Sequence, residues 1–219
     1  AIANVTATFA DADQNNITVE YRDDNHVRLN SSSGNDLIIT GGEAYVATRL
    51  GGSWTVIPFK EMAELISAFG AGALELGGSS FSSLATGVAT EVLKTGRQET
   101  VAGIPGDVYE IVIIDGTYRD VREVVASNNP AALDAYKGLL RIGDLMGEMV
   151  GIQSLTALMD ERYGLGGQAL LRVEDEWVLT RVVRGNIADS SFQLPAAPSS
   201  MAAMAGLMGG NMQQTSEGV

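Results

Sequence analysis

The sequence predicts an α+β fold: a single domain with helices packed on a curved antiparallel sheet, followed by a C-terminal appendage. Three observations carry that prediction. Short runs of alternating apolar and polar residues, separated by turn chemistry, fill the first sixty positions. After Pro58 the apolar period lengthens from two to three or four, as helices require. Alternation then returns on both sides of a second helical stretch. With 219 residues, 45% of them hydrophobic, the chain can bury roughly 70% of its unfolded surface without disulfide or metal staples.

The elements follow in order. Residues 4–10 form a first strand, and the turn Asp11-Ala-Asp-Gln-Asn15 ends it. Ile17, Val19 and Tyr21 alternate with Thr18, Glu20 and Arg22, which makes a half-buried strand. Beyond Asp23-Asp-Asn25, Val27 and Leu29 alternate with His26, Arg28 and Asn30. Strands over 37–40, 44–48 and 53–57 are punctuated by Gly41-Gly42 and Gly51-Gly52. Six successive strands make an antiparallel sheet with one apolar face. Met62, Leu65, Ile66 and Phe69 then share one face of a short helix. A Gly, Ala and Ser-rich stretch follows over 70–87, and Phe81, Leu84 and Val88 point to a weak helix ending near Lys94.

Strands resume over 97–101, 107–114 and 118–126, the last two joined by the Asp115-Gly116 hairpin signal. Asn128-Asn129-Pro130 starts a helix, because Asn caps orphan amides and Pro suits the first helical position. Leu133, Tyr136, Leu140, Met146 and Met149 line that helix, and Ile152, Leu155, Met159 and Tyr163 line another. Strands over 168–173 and 177–184 close the body, giving a domain over 1–195 and a tail over 196–219.

Composition removes whole classes of chemistry. The chain has no cysteine, so disulfides, thiolate metal sites and a Cys nucleophile are absent. One histidine, His26, cannot build a His-rich catalytic metal site. The net charge is −13, with no run of Lys and Arg, so nucleic acid is a poor partner. The longest uncharged stretch, 190–216, is diluted by Pro, Ser, Gln and Gly, which argues against an integral membrane span. The chain opens at Ala1 rather than Met, which suits either a trimmed chain or a mature form left by signal-peptide cleavage.

Candidate sites are weighed against ordinary structure. Asp11-x-Asp13-x-Asn15 opens like a calcium loop, yet the sixth position is Asn16 rather than Gly and the twelfth is Arg22 rather than Glu, so a hairpin turn is favoured. Glu174-Asp175-Glu176 offers carboxylates for acid and base work, but adjacent strand residues point apart and a solvated hairpin tip is the better reading. His26 alternates with apolar residues and faces away from the core; without a G-x-S-x-G elbow no Ser/His/Asp triad is supported. No phosphate-cradling glycine motif is present, and no cofactor is expected. A hydrolase built on the acidic triplet ranks third among the functional readings.

The order of elements resembles the LolA-like envelope proteins. It resembles more closely a bacterial family of uncharacterised domains grouped with outer-membrane lipoprotein carriers. Three short cues carry the likeness over residues 4–195: Val27-Arg28-Leu29 after the strand and turn that begin at Ile17, then Glu99-Thr-Val-Ala-Gly-Ile-Pro-Gly-Asp-Val-Tyr109, and Phe192-Gln-Leu-Pro195. That family often carries a Cys soon after the central glycine; here Gly103 is followed by Ile104, Pro105 and Gly106. The resemblance implies an incomplete β-barrel whose concave face is covered by helices and lined by apolar side chains. In LolA such a cavity receives lipoprotein acyl chains. It also implies a periplasmic or otherwise exported protein.

The expected function is therefore a non-catalytic cell-envelope binding protein holding a lipid-like or acylated ligand. Its partners would be a hydrophobic small molecule or lipoprotein acyl chains, with an envelope protein as a possible further partner. The alternative is a protein-interaction or sensor module that uses the same scaffold without a ligand. The expected lining is Val19, Tyr21, Val27, Leu29, Trp54 and Tyr109 from strands, with Met62, Leu65, Met146 and Met149 from helices. Each of these is also an ordinary core candidate. In the tail, Met201, Met204, Met208 and Met212 fall on one face of a helix about 18 Å long. That stripe would dock over the barrel mouth, bind a neighbouring chain or stay disordered; Cu(I) ligation lacks an accompanying His or Cys.

Overall fold

The computed structural model describes residues 4–32, 34–50, 52–61, 88–115, 118–150 and 165–200. Strands β1 to β6 span Val5–Asp11, Asn16–Asp23, His26–Ser31, Asp36–Thr40, Glu43–Leu50 and Ser53–Pro58. Strands β7 to β9 span Val88–Val101, Ile104–Asp115 and Tyr118–Ser127. Helix α1 covers Pro130–Val150, β10 covers Ala169–Val173, β11 covers Trp177–Arg184, and a 3-10 turn covers Asp189–Phe192.

These strands form one open sheet in the order β6-β5-β4-β3-β2-β1-β11-β10-β9-β8-β7, antiparallel throughout. Two meanders therefore meet in the middle, where β1 pairs β11 from Val5↔Arg184 to Asp11↔Trp177, with a register shift between Thr8 and Phe9. Among the described strands, β6 and β7 are the edges. The first two strands obey the two-residue period. Val5, Ala7 and Phe9 are buried on β1, and Val19 and Tyr21 on β2, whereas Thr6, Thr8, Thr18 and Glu20 between them are partly exposed.

Helix α1 packs against β1, β2, β3, β10 and β11, and we call this face of the sheet the inner face. Asn129 caps it: Oδ1 accepts hydrogen bonds from the amides of Ala131 (3.0 Å) and Ala132 (3.2 Å), while Pro130 takes the first helical position. Its buried residues are Ala132, Ala135, Tyr136, Leu139 and Ile142, with Leu133 and Leu140 partly buried beside them. The stripe expected through Leu133 and Leu140 is thus rotated, because the small side chains at 132, 135 and 138 let the helix approach the sheet. An ideal Cβ on Gly138 would lie 3.0 Å from Val19 Cγ1 and 3.1 Å from Tyr21 Cβ. An ion pair between Arg184 on β11 and Asp134 fastens the other side of the helix.

One expectation is corrected outright. Residues 88–94 were expected to end a weak helix, but they open β7, paired with β8 from Val88↔Ile114 to Lys94↔Tyr109. Backbone pairing of 88, 89, 91 and 92 with the β-branched run 111–114 of β8, across a bulge at 90, outweighs a weak helical period. Strand β8 also begins earlier than expected, at Ile104, and Gly106 allows this. A Cβ there would meet Val125 Cγ1 at 2.6 Å and the Ala126 carbonyl oxygen at 2.9 Å. The helices expected around Met62–Phe69 and Ile152–Tyr163, the weak-helix residues Phe81 and Leu84, and the methionine stripe of the tail lie outside the described residues.

Candidate functional site

The inner face is built from apolar rungs that cross strand after strand. One rung runs Ala7, Val19, Leu29, Leu37, Val46 over β1 to β5, each residue paired with the next. The next runs Val5, Tyr21, Val27, Ile39, Ala44. Val19, Tyr21 and Val27 are buried, and Leu29 packs against the same cluster. Four expected lining residues thus stand together as the cross-strand pairs Val19↔Leu29 and Tyr21↔Val27. Beyond β1 the apolar face continues: Phe9 stacks on Trp177 with ring centroids 4.3 Å apart, Trp177 pairs Val173, Val173 pairs Val124, and Val124 pairs Tyr109.

Tyr109 therefore shares the inner face but lies on the far wing, five strands from Tyr21. Its hydroxyl is 3.3 Å from the Gln168 side-chain amide, and the Lys94 ammonium sits 5.9 Å over its ring while donating to Asp107 at 2.6 Å. The apolar row thus ends in a polar group of four residues. Trp54 is not brought to this face. It packs on the opposite side of the sheet with Ile38, Ala47, Val56, Tyr45, Leu194 and Ala196, and the Arg49 guanidinium lies 4.7 Å over its ring. Met62 and Leu65 lie outside the described residues, as do the side chains of Met146 and Met149, although both methionines fall on α1.

Where α1 crosses β2, the inner face is closed. Val19 and Tyr21 touch the helix at Gly138 and act as its seat rather than as open lining. Tyr21 is held by its polar end: the hydroxyl donates to Asp24 Oδ1 at 2.9 Å. Burial, reinforced by that carboxylate, pushes its phenol well above the usual tyrosine range, so it is a neutral donor at any pH the fold meets. To either side of α1 the same face carries Leu37, Ile39, Val46 and Phe59 on one wing and Val92, Ile111 and Tyr109 on the other.

The polar candidates resolve differently. Both carboxylate oxygens of Asp11 accept hydrogen bonds from Asn15, its amide at 2.8 Å and its side chain at 3.0 Å, which closes a hairpin turn. The acidic triplet is the β10–β11 turn, and only Asp175 is fully exposed there. Glu176 lies 3.3 Å from Arg122, whose Nε also donates to Asp120 at 2.9 Å. Burial pushes the Glu174 carboxyl up, partly offset by Arg122. Glu174 and Glu176 face a common cation because they are two residues apart across a tight turn, a proximity that adjacent-residue reasoning misses.

Sequence reasoning also missed a second constellation, on the outer face. The segment 185–200 leaves β11 and crosses β2 to β6. Arg22 donates to Asp189 at 2.7 Å and to the Ile187 carbonyl at 2.6 Å; Arg28 donates to the Ser191 carbonyl at 3.1 Å. Phe192 is buried against the sheet, with the Arg22 guanidinium 4.9 Å from its centroid and the His26 ring edge-on at 5.5 Å. Asp36, 1% exposed, lies nearby on β4 and accepts from Arg28 at 2.5 Å and from Asn30 at 2.6 Å. The available signal was the alternation Phe192, Leu194, Ala196, which the segment uses to pack on the outer face rather than in a paired strand.

The class defined by fold and site is, among the described residues, an open, eleven-stranded antiparallel sheet with a helix seated on one apolar face. No known family model, curated protein or solved structure matches the chain. No helix among the described residues is long and apolar enough to cross a membrane.

Proposed function

We propose that this chain is a non-catalytic, exported cell-envelope protein that holds a lipid-like or acylated ligand against the inner face of its sheet. The carrying observation is the mismatch in width between that face and its helix. Rungs of paired apolar residues run from β5 to β1 and resume across β11 to β8. At about 4.8 Å per strand, the β1 to β5 rung alone spans roughly 19 Å, whereas a helix with its side chains is about 10 Å wide. Leu37, Ile39 and Val46 beyond the helix are themselves buried, so an alkyl chain held beside α1 would replace the packing that covers them, gaining about 0.8 kcal/mol per methylene removed from water before that cost and the cost of ordering it. The LolA-like order of elements adds the expectation of acyl chains, and it extends to helices covering a concave face and to a periplasmic setting.

Titrating solvent-extracted protein with a fluorescent fatty-acyl probe tests this reading. Saturable binding displaced by unlabelled fatty acid, weakened by Leu37→Asp on the inner face and unchanged by Thr6→Asp on the outer face, is the expected result. Absence of saturable binding would count against it. A second reading, an interaction module without a ligand, is favoured by one observation. Leu93, Ile114 and Val121 share the outer face of the adjacent strands β7, β8 and β9 and remain 42%, 40% and 37% exposed.

A further inference from the structure

The outer-face segment and the inner-face helix rest on the same small piece of chain, the turn between β2 and β3. Strand β2 breaks register between Tyr21 and Asp23, opposite His26. The break separates three duties. Tyr21 turns inward, under Gly138 of α1, and its hydroxyl holds Asp24 in the turn. Arg22 turns outward and grips the 185–200 segment through Asp189 and the Ile187 carbonyl. Asp23 closes the turn itself, accepting from the Asn25 amide at 2.9 Å and lying 2.9 Å from His26 Nδ1. His26 in turn stands edge-on to Phe192. Phe192 and α1 are thus separated by the β2–β3 turn and the strand ends beside it: Arg22 and His26 meet Phe192, and Tyr21 meets α1.

The rest of the segment anchors elsewhere. Leu194 and Ala196 pack on Ile38, Ala47 and Val56, and the Ser199 amide donates to the Val56 carbonyl at 2.8 Å, on the far side of β6 from β5. Its docking therefore has two separable parts: a Phe192 part on the β2–β3 turn and a Leu194–Ser199 part on β4 to β6.

We propose that residues 185–200 form a releasable clasp, and that the Phe192 part of the clasp sets the seating of α1 on the inner face through the β2–β3 turn. Two equilibria, clasp docked or free and helix seated or loosened, then share a free energy of coupling. By linkage that coupling must act equally in both directions. The coupling belongs to the fold and holds whether or not a ligand occupies the inner face. With a ligand there, release of the clasp would loosen one wall of its site.

Hydrogen exchange on the full chain tests the proposal. Phe192→Ala is expected to speed exchange over the clasp, over the turn at residues 22–26 and over the first half of α1 by about tenfold, with β8 and β9 unchanged. Leu194→Ala is expected to speed exchange over the 194–199 end and β6 while leaving α1 as it was. Gly138→Ala, which crowds the helix seat, is expected to speed exchange at Phe192 and its neighbours, the reciprocal effect. Should Phe192→Ala fail to fold, Arg22→Gln removes the Asp189 contact more gently and carries the same expectation for α1. A clasp freed with α1 unchanged, an equal response of α1 to the Phe192 and Leu194 changes, or a clasp indifferent to Gly138→Ala overturns the proposal.

Discussion

Gly138→Ala makes a sharp test of how α1 meets the sheet, because two effects of opposite sign compete. In an unencumbered helix interior, replacing Gly by Ala stabilises by about 1 kcal/mol, through the entropy lost by the unfolded chain. Here the new methyl would stand 3.0 Å from Val19 Cγ1, 3.1 Å from Tyr21 Cβ and 3.3 Å from Tyr21 Cδ2. Tyr21 Cβ is fixed to a central strand and cannot rotate away, so the helix must lift. Overpacking of this kind costs about 1–3 kcal/mol. The propensity gain offsets part of that cost, leaving a net loss of about 1 kcal/mol. Urea unfolding followed by far-UV circular dichroism measures it, with an unchanged slope and a lowered midpoint as the expected signature. A variant more stable than the parent by about 1 kcal/mol would refute the reasoning, since it would mean that nothing crowds Gly138.

Other perturbations follow from the polar groups. Asp36→Ala is expected to destabilise by about 2–3 kcal/mol in the same urea assay, because it strips a buried acceptor from Arg28 and Asn30; a loss under about 0.5 kcal/mol would contradict that pairing. Glu174→Gly is expected to stabilise by about 1 kcal/mol at pH 7: it relieves a left-handed backbone at φ 44° and removes a carboxylate that burial disfavours. A destabilised glycine variant would show that the Glu174 side chain contributes more than its strain costs. Arg97 and then Arg172 hold Glu123 below the usual glutamate value of 4.5, and Lys94 and Gln98 hold Asp107 below the usual aspartate value of 3.8. Depressed carboxyl groups contribute stability that is present above those usual values and lost as pH falls through the lower folded ones. Urea midpoints should therefore drop below about pH 4.5, and less steeply in Arg172→Gln; identical pH profiles would dismiss the pair as a contributor.

Local order was legible in the sequence, and long-range order was not. The six opening strands, the Asn129 cap and the pairing of β8 with β9 each depend on residues within a few positions, where period and turn chemistry act; the register of that hairpin, Asp115↔Tyr118, lies one step beyond the Asp115-Gly116 signal. Val19, Tyr21, Val27 and Leu29 were grouped correctly on one face because neighbouring strands joined by a tight turn must share their apolar side. The pairing of β1 with β11 has no local signal, since it joins residues more than 160 positions apart. Trp54 illustrates a second limit. Strand β6 buries Val56 on one face and Ile57 on the other, so an apolar pattern there cannot tell inner from outer. Over β2 to β6 the outer face is covered by the chain's own 185–200 segment, which is why a strand that meets the core on both sides looks the same in sequence as one that lines a cavity. Helix α1 misleads in another way, because its closest approach to the sheet runs through Ala132, Ala135 and Gly138 rather than its largest apolar residues.

Native mass spectrometry of the protein purified gently from cells that make it, followed by solvent extraction of what co-purifies, tests the central claim most directly. A lipid or acylated species bound in stoichiometric amount, and lost from the Leu37→Asp variant, is the predicted result. An unliganded mass from gently purified material, with no uptake of added fatty-acyl probe, would contradict it.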